Sequence, residues 1–171
     1  MNKIYFITGA SGAGKTTTAK NLENSKLLDV SFYYFDSGHK IPTREEMEKE
    51  FGSQENWQLK TTSTWINEIK NEILSEKSAI LDRQTRLSYI KKVCEEDKIN
   101  NYEIILFDCE DSVREERLIK RGHPELVNSD MRNWAKFLRN EALECGAKII
   151  DTTNLTIEES VEQLLNILNE K

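Results

Sequence analysis

A glycine-rich segment near the start of the sequence, residues 9–16, constrains the fold more than any other feature. It reads GASGAGKT and fits the pattern G-x-x-x-x-G-K-[ST]. An apolar run precedes it and a helix-like stretch follows it, which is the setting in which this pattern forms a phosphate-binding loop. Glycines let such a loop turn its backbone N–H groups inward, and the helix behind it adds a positive amino-terminal end. The alternative is a glycine-rich turn that matches by chance.

The loop predicts a bound nucleoside triphosphate, which we expect to be ATP, together with Mg²⁺. Lys15 can reach the β- and γ-phosphates as a mobile positive charge, and the hydroxyl of Thr16 can ligate the metal ion. The residues expected to hold the nucleotide are those of the loop and the start of its helix: Gly9, Ala10, Ser11, Gly12, Ala13, Gly14, Lys15, Thr16 and Thr17.

Short apolar runs alternate with helix-like stretches along the rest of the chain. Five strands are predicted, at residues 3–8, 30–35, 78–82, 102–109 and 147–151. This alternation is typical of an α/β three-layer fold with a mainly parallel sheet flanked by helices. Right-handed crossovers would bring the carboxyl ends of the strands to one edge, where such sheets bind their ligands.

Composition excludes several classes of protein. The chain has 171 residues, enough for one domain, and a net charge of −6 without a basic stripe, which disfavours nonspecific binding to nucleic acid. Three scattered cysteines and two histidines do not suit a disulfide framework or a zinc site. The apolar run in the first ten residues is too short for a signal peptide or a membrane span. We therefore expect a reduced, cytoplasmic protein without a membrane partner.

Two aspartates end predicted strands on the edge where the loop lies. Asp82 ends the third strand and would face the Mg²⁺ ion, unless it caps the next helix. Asp36 ends the second strand and could bind an acceptor hydroxyl and take its proton, unless it forms a turn with the next two residues. His39 could contact the substrate or be an ordinary loop histidine.

A charged helix carries Arg114, Arg117 and Arg121 at spacings of three and four residues. The last two precede GHPELVNSD, which could act as a mobile lid. Guanidinium groups there could close over the phosphates and stabilise charge on the transferring group. The alternative is ordinary surface ion pairing with Glu115 and Glu116.

Three segments carry a family resemblance. Residues 82–86, DRQTR, are similar to the D-G-F-P-R segment of nucleoside monophosphate kinases, with Arg83 and Gln84 replacing a small residue and an aromatic one. Residues 117–121, RLIKR, resemble the R-[LI]-x-x-R lid entry of the same enzymes, and DSGHKIP resembles the D-x-x-H segment of gluconate kinases. The chain thus resembles the small P-loop kinases, the group that contains adenylate, shikimate and gluconate kinases.

The resemblance implies a sheet order of 2-3-1-4-5 within one domain, residues 1–171. It also implies a helical substrate-binding insert near residues 37–78 and a lid near residues 121–133. The site roles that it implies are Asp82 near Mg²⁺, Arg86 on the substrate side, Arg117 by the base, Arg121 on the phosphates, and residues 152–155 along the adenine.

We therefore expect an ATP- and Mg²⁺-dependent phosphotransferase acting on a hydroxyl or phosphate of a small molecule, by in-line transfer. A regulatory P-loop ATPase and a polynucleotide end kinase remain alternatives, and an intact Lys15–Thr16 pair weighs against an inactive nucleotide-binding module. A GTPase would need an N-K-x-D segment, which the sequence lacks. Trp65 lies on an apolar helical face and is expected in the core, whereas Trp57 could equally line the acceptor pocket.

Overall fold

The computed structural model describes residues 2–35, 42–73 and 77–170. Its centre is a sheet of five strands: β1 (Ile4–Thr8), β2 (Val30–Tyr34), β3 (Ser78–Asp82), β4 (Tyr102–Asp108) and β5 (Lys148–Asp151). The strands lie in the order β2-β3-β1-β4-β5, and all neighbouring pairs are parallel. The predicted fold class and the implied strand order are confirmed.

Helices connect the strands and cover both faces of the sheet. They are α1 (Lys15–Ser25), α2 (Arg44–Phe51), α3 (Gln54–Ile73), α4 (Leu87–Glu96), α5 (Asp111–Lys120), α6 (Ser129–Cys145) and α7 (Ile157–Leu168), with a 3₁₀ turn at Pro124–Leu126. Within the described ranges, none of these helices is both long and apolar enough to cross a membrane.

Successive residues of the central strands point into two separate cores. In β1, Ile4 and Phe6 join the core under α3, α4 and α6, whereas Tyr5 and Ile7 join the core under α1 and α7. Because both faces of the strand are buried, its sequence is an uninterrupted apolar run and not an alternating one.

Capping residues set several helix ends. Thr156 and Glu159 form a capping box at the start of α7: the Thr156 hydroxyl accepts from the Glu159 amide at 3.1 Å, and the Glu159 carboxylate accepts from the Thr156 amide at 2.8 Å. Gly146, with φ 66°, ends α6. These local signals explain why the element boundaries follow the sequence closely.

The loops that leave the carboxyl ends of the strands converge on one edge of the sheet. Backbone hydrogen bonds continue the strand pairing one residue past each end: Arg83 N donates to Ile7 O at 3.0 Å, and Thr152 N donates to Asp108 O at 2.8 Å. The first residue of each loop is therefore held as firmly as the strand itself, beside the glycine-rich loop that follows β1.

Candidate active site

The loop between β1 and α1 has positive φ at its three glycines: 145° at Gly9, 87° at Gly12 and 97° at Gly14. A Cβ at Gly9 would lie 2.2 Å from the carbonyl oxygen of Phe107, and one at Gly12 would lie 2.8 Å from Cγ of Arg114. Gly14 is the N-cap of α1, so the positive end of that helix opens into the loop. The loop thus combines left-handed backbone with close packing against β4 and α5.

Lys15 is the first residue of α1 and its side chain folds back along the loop. It is only 7% exposed, and its ammonium group donates to the carbonyl oxygens of Gly9 at 2.8 Å and Ala10 at 3.2 Å. These bonds hold the ammonium group beside the loop and away from bulk water. Its positive charge attracts an anion more strongly in that position than it would in water.

The two predicted metal ligands are in contact. The Thr16 hydroxyl donates a hydrogen bond to the Asp82 carboxylate, which is 4% exposed at the end of β3. The N-cap of α4 is Arg86 and not Asp82, so the alternative that Asp82 caps the next helix is wrong. A hydroxyl and a carboxylate are hard oxygen ligands of the kind that Mg²⁺ prefers.

This pair fits an ion that brings other ligands with it. In the described part of the chain, no three His, Cys, Asp or Glu side chains group closely enough to hold a metal ion by themselves. Mg²⁺ usually keeps several waters and binds substrate phosphates alongside one or two protein oxygens. The site therefore suits Mg²⁺ bound with a nucleotide better than a permanently held structural ion.

Arg117 lies over the loop and does not pair on the surface. Its Nη1 donates to the Thr152 hydroxyl and its Nη2 to the Thr152 carbonyl oxygen, both at 2.8 Å. Glu115 and Glu116 instead pair with other cations, at 2.6 Å and 2.7 Å. Surface pairing of Arg117 with these two glutamates, the alternative raised by the sequence, is therefore wrong for the described residues.

Arg114, the other arginine of α5, has a different role because its side chain packs under the loop. It is 1% exposed, packs beneath Gly12, donates to the carbonyl oxygen of Cys109 at 3.2 Å and pairs with Asp111. Burial raises the pKa of the Cys109 thiol, although Arg117 and Arg114 oppose the shift. The group beneath the loop is thus a neutral thiol and not a nucleophile.

Three neighbouring cavities surround the loop. The α7 cavity, about 250 Å³, is bordered by Thr17, Arg117, Thr152 and Leu155. The loop cavity, about 540 Å³, is bordered by residues that include Lys15 and Thr16. The outer cavity, about 770 Å³, includes Arg86. The loop cavity is adjacent to both of the others, because it shares lining residues with each: Gly12, Gly14, Thr17 and Arg121 with the α7 cavity, and Gln54, Gln58, Gln84 and Leu126 with the outer cavity.

Sequence reasoning missed the role of Arg83 as a buried member of the loop cavity. The side chain is 3% exposed, and its guanidinium lies 3.9 Å from the centre of the Phe35 ring. Its Nη2 donates to the Gln58 carbonyl oxygen at 3.1 Å and to the Thr61 hydroxyl at 2.6 Å. Arg83 therefore ties the end of β3 to α3. The signal that could have indicated this was an arginine placed directly after a buried strand.

The two tryptophans of α3, Trp57 and Trp65, have different environments. Trp57 is 8% exposed, packs with Phe35 and Met47, and lines the loop cavity, so it is both a core and a cavity residue. Trp65, expected in the core, is half-buried at its margin, where its ring packs edge-on against those of Tyr33 at 6.3 Å and Phe35 at 5.8 Å between centres.

Gln84 was also missed as a contact between loops. Its Oε1 accepts from the hydroxyl of Ser11 at 3.0 Å, so the loop after β3 touches the glycine-rich loop directly. Arg86, at the start of α4, is exposed and lies over the rings of Tyr89 and Phe137, at 5.2 Å and 4.9 Å from their centres.

Two predicted acceptor-side residues, Asp36 and His39, lie outside the described residues. Arg121 ends α5 and borders both the α7 cavity and the loop cavity. The structure thus places Thr16, Arg117 and Arg121 along two adjacent cavities beside the loop, Asp82 in contact with Thr16, and Arg86 in the outer cavity.

Several proteins that are similar to this chain in sequence or structure are kinases. A shikimate kinase of Bacillus cereus is 27% identical over 176 residues, covering 98% of this chain and 99% of that protein. No protein-family model matches the chain. A sugar kinase from a Janibacter species has a similar structure, with a TM-score of 0.70 and 21% identity over 99% of this chain and 95% of the other. A deoxyadenosine kinase from M. mycoides has a TM-score of 0.65 and 16% identity over 98% of both chains.

These similarities extend over the whole length of the chain. They confirm the predicted likeness to the small P-loop kinases of the nucleoside monophosphate, shikimate and gluconate kinase group. The relatives described above are small-molecule kinases, which is the class of enzyme that the sequence predicts for this chain.

Proposed function

We propose that this chain is a small P-loop kinase that transfers the γ-phosphoryl group of ATP, bound with Mg²⁺, to a hydroxyl or phosphate group of a small acceptor. The observation that carries the proposal is the contact between Thr16 and Asp82 beside the glycine-rich loop. Thr16 also lines the loop cavity, so the two oxygens that would hold Mg²⁺ lie next to the space proposed for the phosphates and the acceptor.

Donor binding falls to the loop and its helix. Backbone N–H groups of residues 9–17 and the amino end of α1 would surround the phosphates. Lys15 would exchange its bonds to the Gly9 and Ala10 carbonyls for phosphate oxygens. The nucleotide base would occupy the α7 cavity, with Arg117 and residues 152–155 along it.

Thr16 and Asp82 would hold Mg²⁺, Thr16 through its hydroxyl and Asp82 directly or through water. When bound, the ion supplies positive charge against the β- and γ-phosphates. Arg121, on the border of the loop cavity, would add a guanidinium to the transferring group. Lys15 and Arg121, which both line the loop cavity, would thus stabilise charge on the transferring group without forming a covalent intermediate.

The acceptor would enter through the outer cavity and extend into the loop cavity. Arg86 would bind it, together with Asp36 and His39, and Asp36 would take the proton from an acceptor hydroxyl. A phosphate acceptor would not need this base. We further propose one domain over residues 1–171, with residues 37–78 as the acceptor-binding insert and residues 121–133 as a lid.

An ATP-consumption assay against a panel of acceptors tests the proposal. The panel contains shikimate, gluconate and other sugars, nucleosides and nucleoside monophosphates, aminoglycoside-type antibiotics and RNA ends. At least one small molecule should raise ATP consumption above the acceptor-free rate, and removal of Mg²⁺ by a chelator should abolish the increase.

Two variants serve as controls. Lys15→Ala should lose turnover with every acceptor, and Asp36→Asn should keep ATP affinity while losing turnover with a hydroxyl acceptor. ATP hydrolysis that no acceptor stimulates, accompanied by a large nucleotide-dependent change in shape, would contradict the proposal and favour a regulatory ATPase. Stimulation by RNA ends alone would favour a polynucleotide end kinase.

A further inference from the structure

Thr152, the first residue after β5, connects the glycine-rich loop, the end of β4 and Arg117 of α5. It is 2% exposed. Its amide donates to the carbonyl oxygen of Asp108 at 2.8 Å, which fixes its backbone to the end of β4. Its hydroxyl lies 2.9 Å from the carbonyl oxygen of Ala13 and 3.2 Å from that of Asp108. Besides its contacts with Arg117, this buried threonine thus lies within hydrogen-bonding distance of two backbone carbonyl oxygens, those of Ala13 and Asp108.

The chemistry of a hydroxyl determines how these contacts share one proton. A threonine hydroxyl donates once and accepts through its lone pairs. Arg117 has only donors, so the hydroxyl accepts from Arg117 and donates to a carbonyl, with Ala13 the shorter of the two contacts. The hydroxyl therefore links the glycine-rich loop to the guanidinium of α5.

One edge of the Arg117 guanidinium donates two hydrogen bonds to Thr152. Nη1 donates to the Thr152 hydroxyl and Nη2 to the Thr152 carbonyl, both at 2.8 Å, while the contact of Nη1 with the Gly12 carbonyl is longer at 3.5 Å. Two parallel bonds to one residue fix the plane of a guanidinium as well as its position. Arg117 also lines the α7 cavity, together with Thr152.

The charge of Arg117 is also left without a carboxylate. Over residues 2–35, 42–73 and 77–170, no acidic side chain forms an ion pair with it, and its acceptors are neutral oxygens. A positively charged, planar group that lines a cavity and has one edge fixed is suited to stack against an aromatic ring.

We propose that Thr152 is a positioning residue for nucleotide specificity: it holds Arg117 flat along the α7 cavity so that the base of the donor nucleotide stacks on the guanidinium. This inference rests on the proposed function, because it requires ATP to be the donor bound at the loop. Thr152 then governs recognition of the base, while the glycine-rich loop governs recognition of the phosphates.

Binding measurements separate the two roles without knowledge of the acceptor. Affinities of ATP and of inorganic tripolyphosphate, each with Mg²⁺, are measured by titration calorimetry on the full chain and its variants. Thr152→Val keeps the shape of the side chain and removes the hydroxyl. Because that hydroxyl bonds to a charged group, its loss should weaken ATP binding about tenfold or more. Tripolyphosphate, which has no base, should lose less than about twofold, and Thr152→Ser should restore most of the ATP affinity.

A double-mutant cycle tests whether Thr152 acts through Arg117. Arg117→Met should weaken ATP binding by itself, and adding Thr152→Val to it should then cost little more, because the two residues form one unit. If Thr152→Val does not fold in a urea-denaturation check, Thr152→Cys takes its place, since a thiol is a weak acceptor of similar size.

The outcomes are distinguishable. If the unsubstituted chain binds neither ATP nor tripolyphosphate, the proposed function fails and this inference fails with it. If the chain binds ATP but Thr152→Val leaves ATP affinity unchanged, or weakens ATP and tripolyphosphate equally, Thr152 does not position Arg117 for the base. Fully additive losses in the double-mutant cycle overturn the inference in the same way.

Discussion

Replacing Gly12 by alanine tests how closely the glycine-rich loop must pack against α5. Its φ of 87° lies where a side chain costs about 1–2 kcal/mol. The added Cβ would lie 2.8 Å from Cγ of Arg114, 3.0 Å from its carbonyl oxygen and 3.1 Å from Cγ of Leu118. Overpacking of this kind costs about 1–3 kcal/mol. We expect Gly12→Ala to lower the free energy of unfolding by roughly 2–5 kcal/mol, the sum of both terms.

Two matched variants separate backbone strain from packing. Gly122 has a φ of 80°, but a Cβ there would meet nothing within 4 Å, so Gly122→Ala should cost about 1–2 kcal/mol. At Gly9 a Cβ would lie 2.2 Å from the backbone oxygen of Phe107 in β4, an atom that cannot rotate aside. The loss of stability should therefore increase in the order Gly122→Ala, Gly12→Ala, Gly9→Ala.

Urea denaturation followed by circular dichroism measures these differences, and thermal denaturation gives a second reading. For a chain of this length, each kcal/mol shifts the Tm by about 2–4 °C. Gly12→Ala should melt about 2–12 °C below Gly122→Ala, from the packing term alone. If the two variants are equally stable, the loop does not pack as tightly as these distances indicate and the reasoning is wrong.

Three further predictions follow from single side chains. Lys15→Ala should lower ATP turnover on the order of a hundredfold or more, because it removes a fixed charge at the transferring phosphates; steady-state kinetics would contradict this if the rate were retained. Arg83→Met should lower the free energy of unfolding, measured in urea, by about 2–4 kcal/mol, because the guanidinium both stacks on Phe35 and donates two hydrogen bonds. Arg83→Lys should not restore this stability, and full rescue by lysine would refute the geometry. Burial raises the pKa of Cys94 to about 12, so a thiol reagent at pH 8 should label half-buried Cys145 in the native protein and Cys94 only after unfolding; equal labelling rates would count against the burial.

The sequence allowed the elements to be predicted because their signals are local. Runs such as residues 78–82 lie between polar segments, and the structure forms a strand over the same residues. The caps at Thr156 and Gly146 act within one helical turn. The position of Asp82 beside the loop also follows from the sequence, because parallel strands bring their carboxyl ends to one edge.

The roles of the arginines could not be predicted, because identical side chains at similar spacing went to different environments. Arg114 packs under the loop, Arg117 is held by Thr152, and Arg121 remains at the cleft. Arg83 is buried against an aromatic ring from another strand end. Each outcome for Arg83 and Arg117 depends on partners between about 22 and 48 positions away in the sequence, and no local pattern records such pairings.

The sequence by itself determined that this chain builds a glycine-rich loop at the edge of a parallel sheet with Asp82 beside it, because glycine backbone freedom, apolar runs and strand ends are properties of short segments. Only the tertiary structure decided which other side chains, such as Gln84, Arg117 and Thr152, contact that loop. Thr152 and Ser11 hold their partners through hydrogen bonds between distant loops. Such bonds form only when strand pairing has brought both loops to one edge, so that the donor and acceptor atoms lie roughly 3 Å apart.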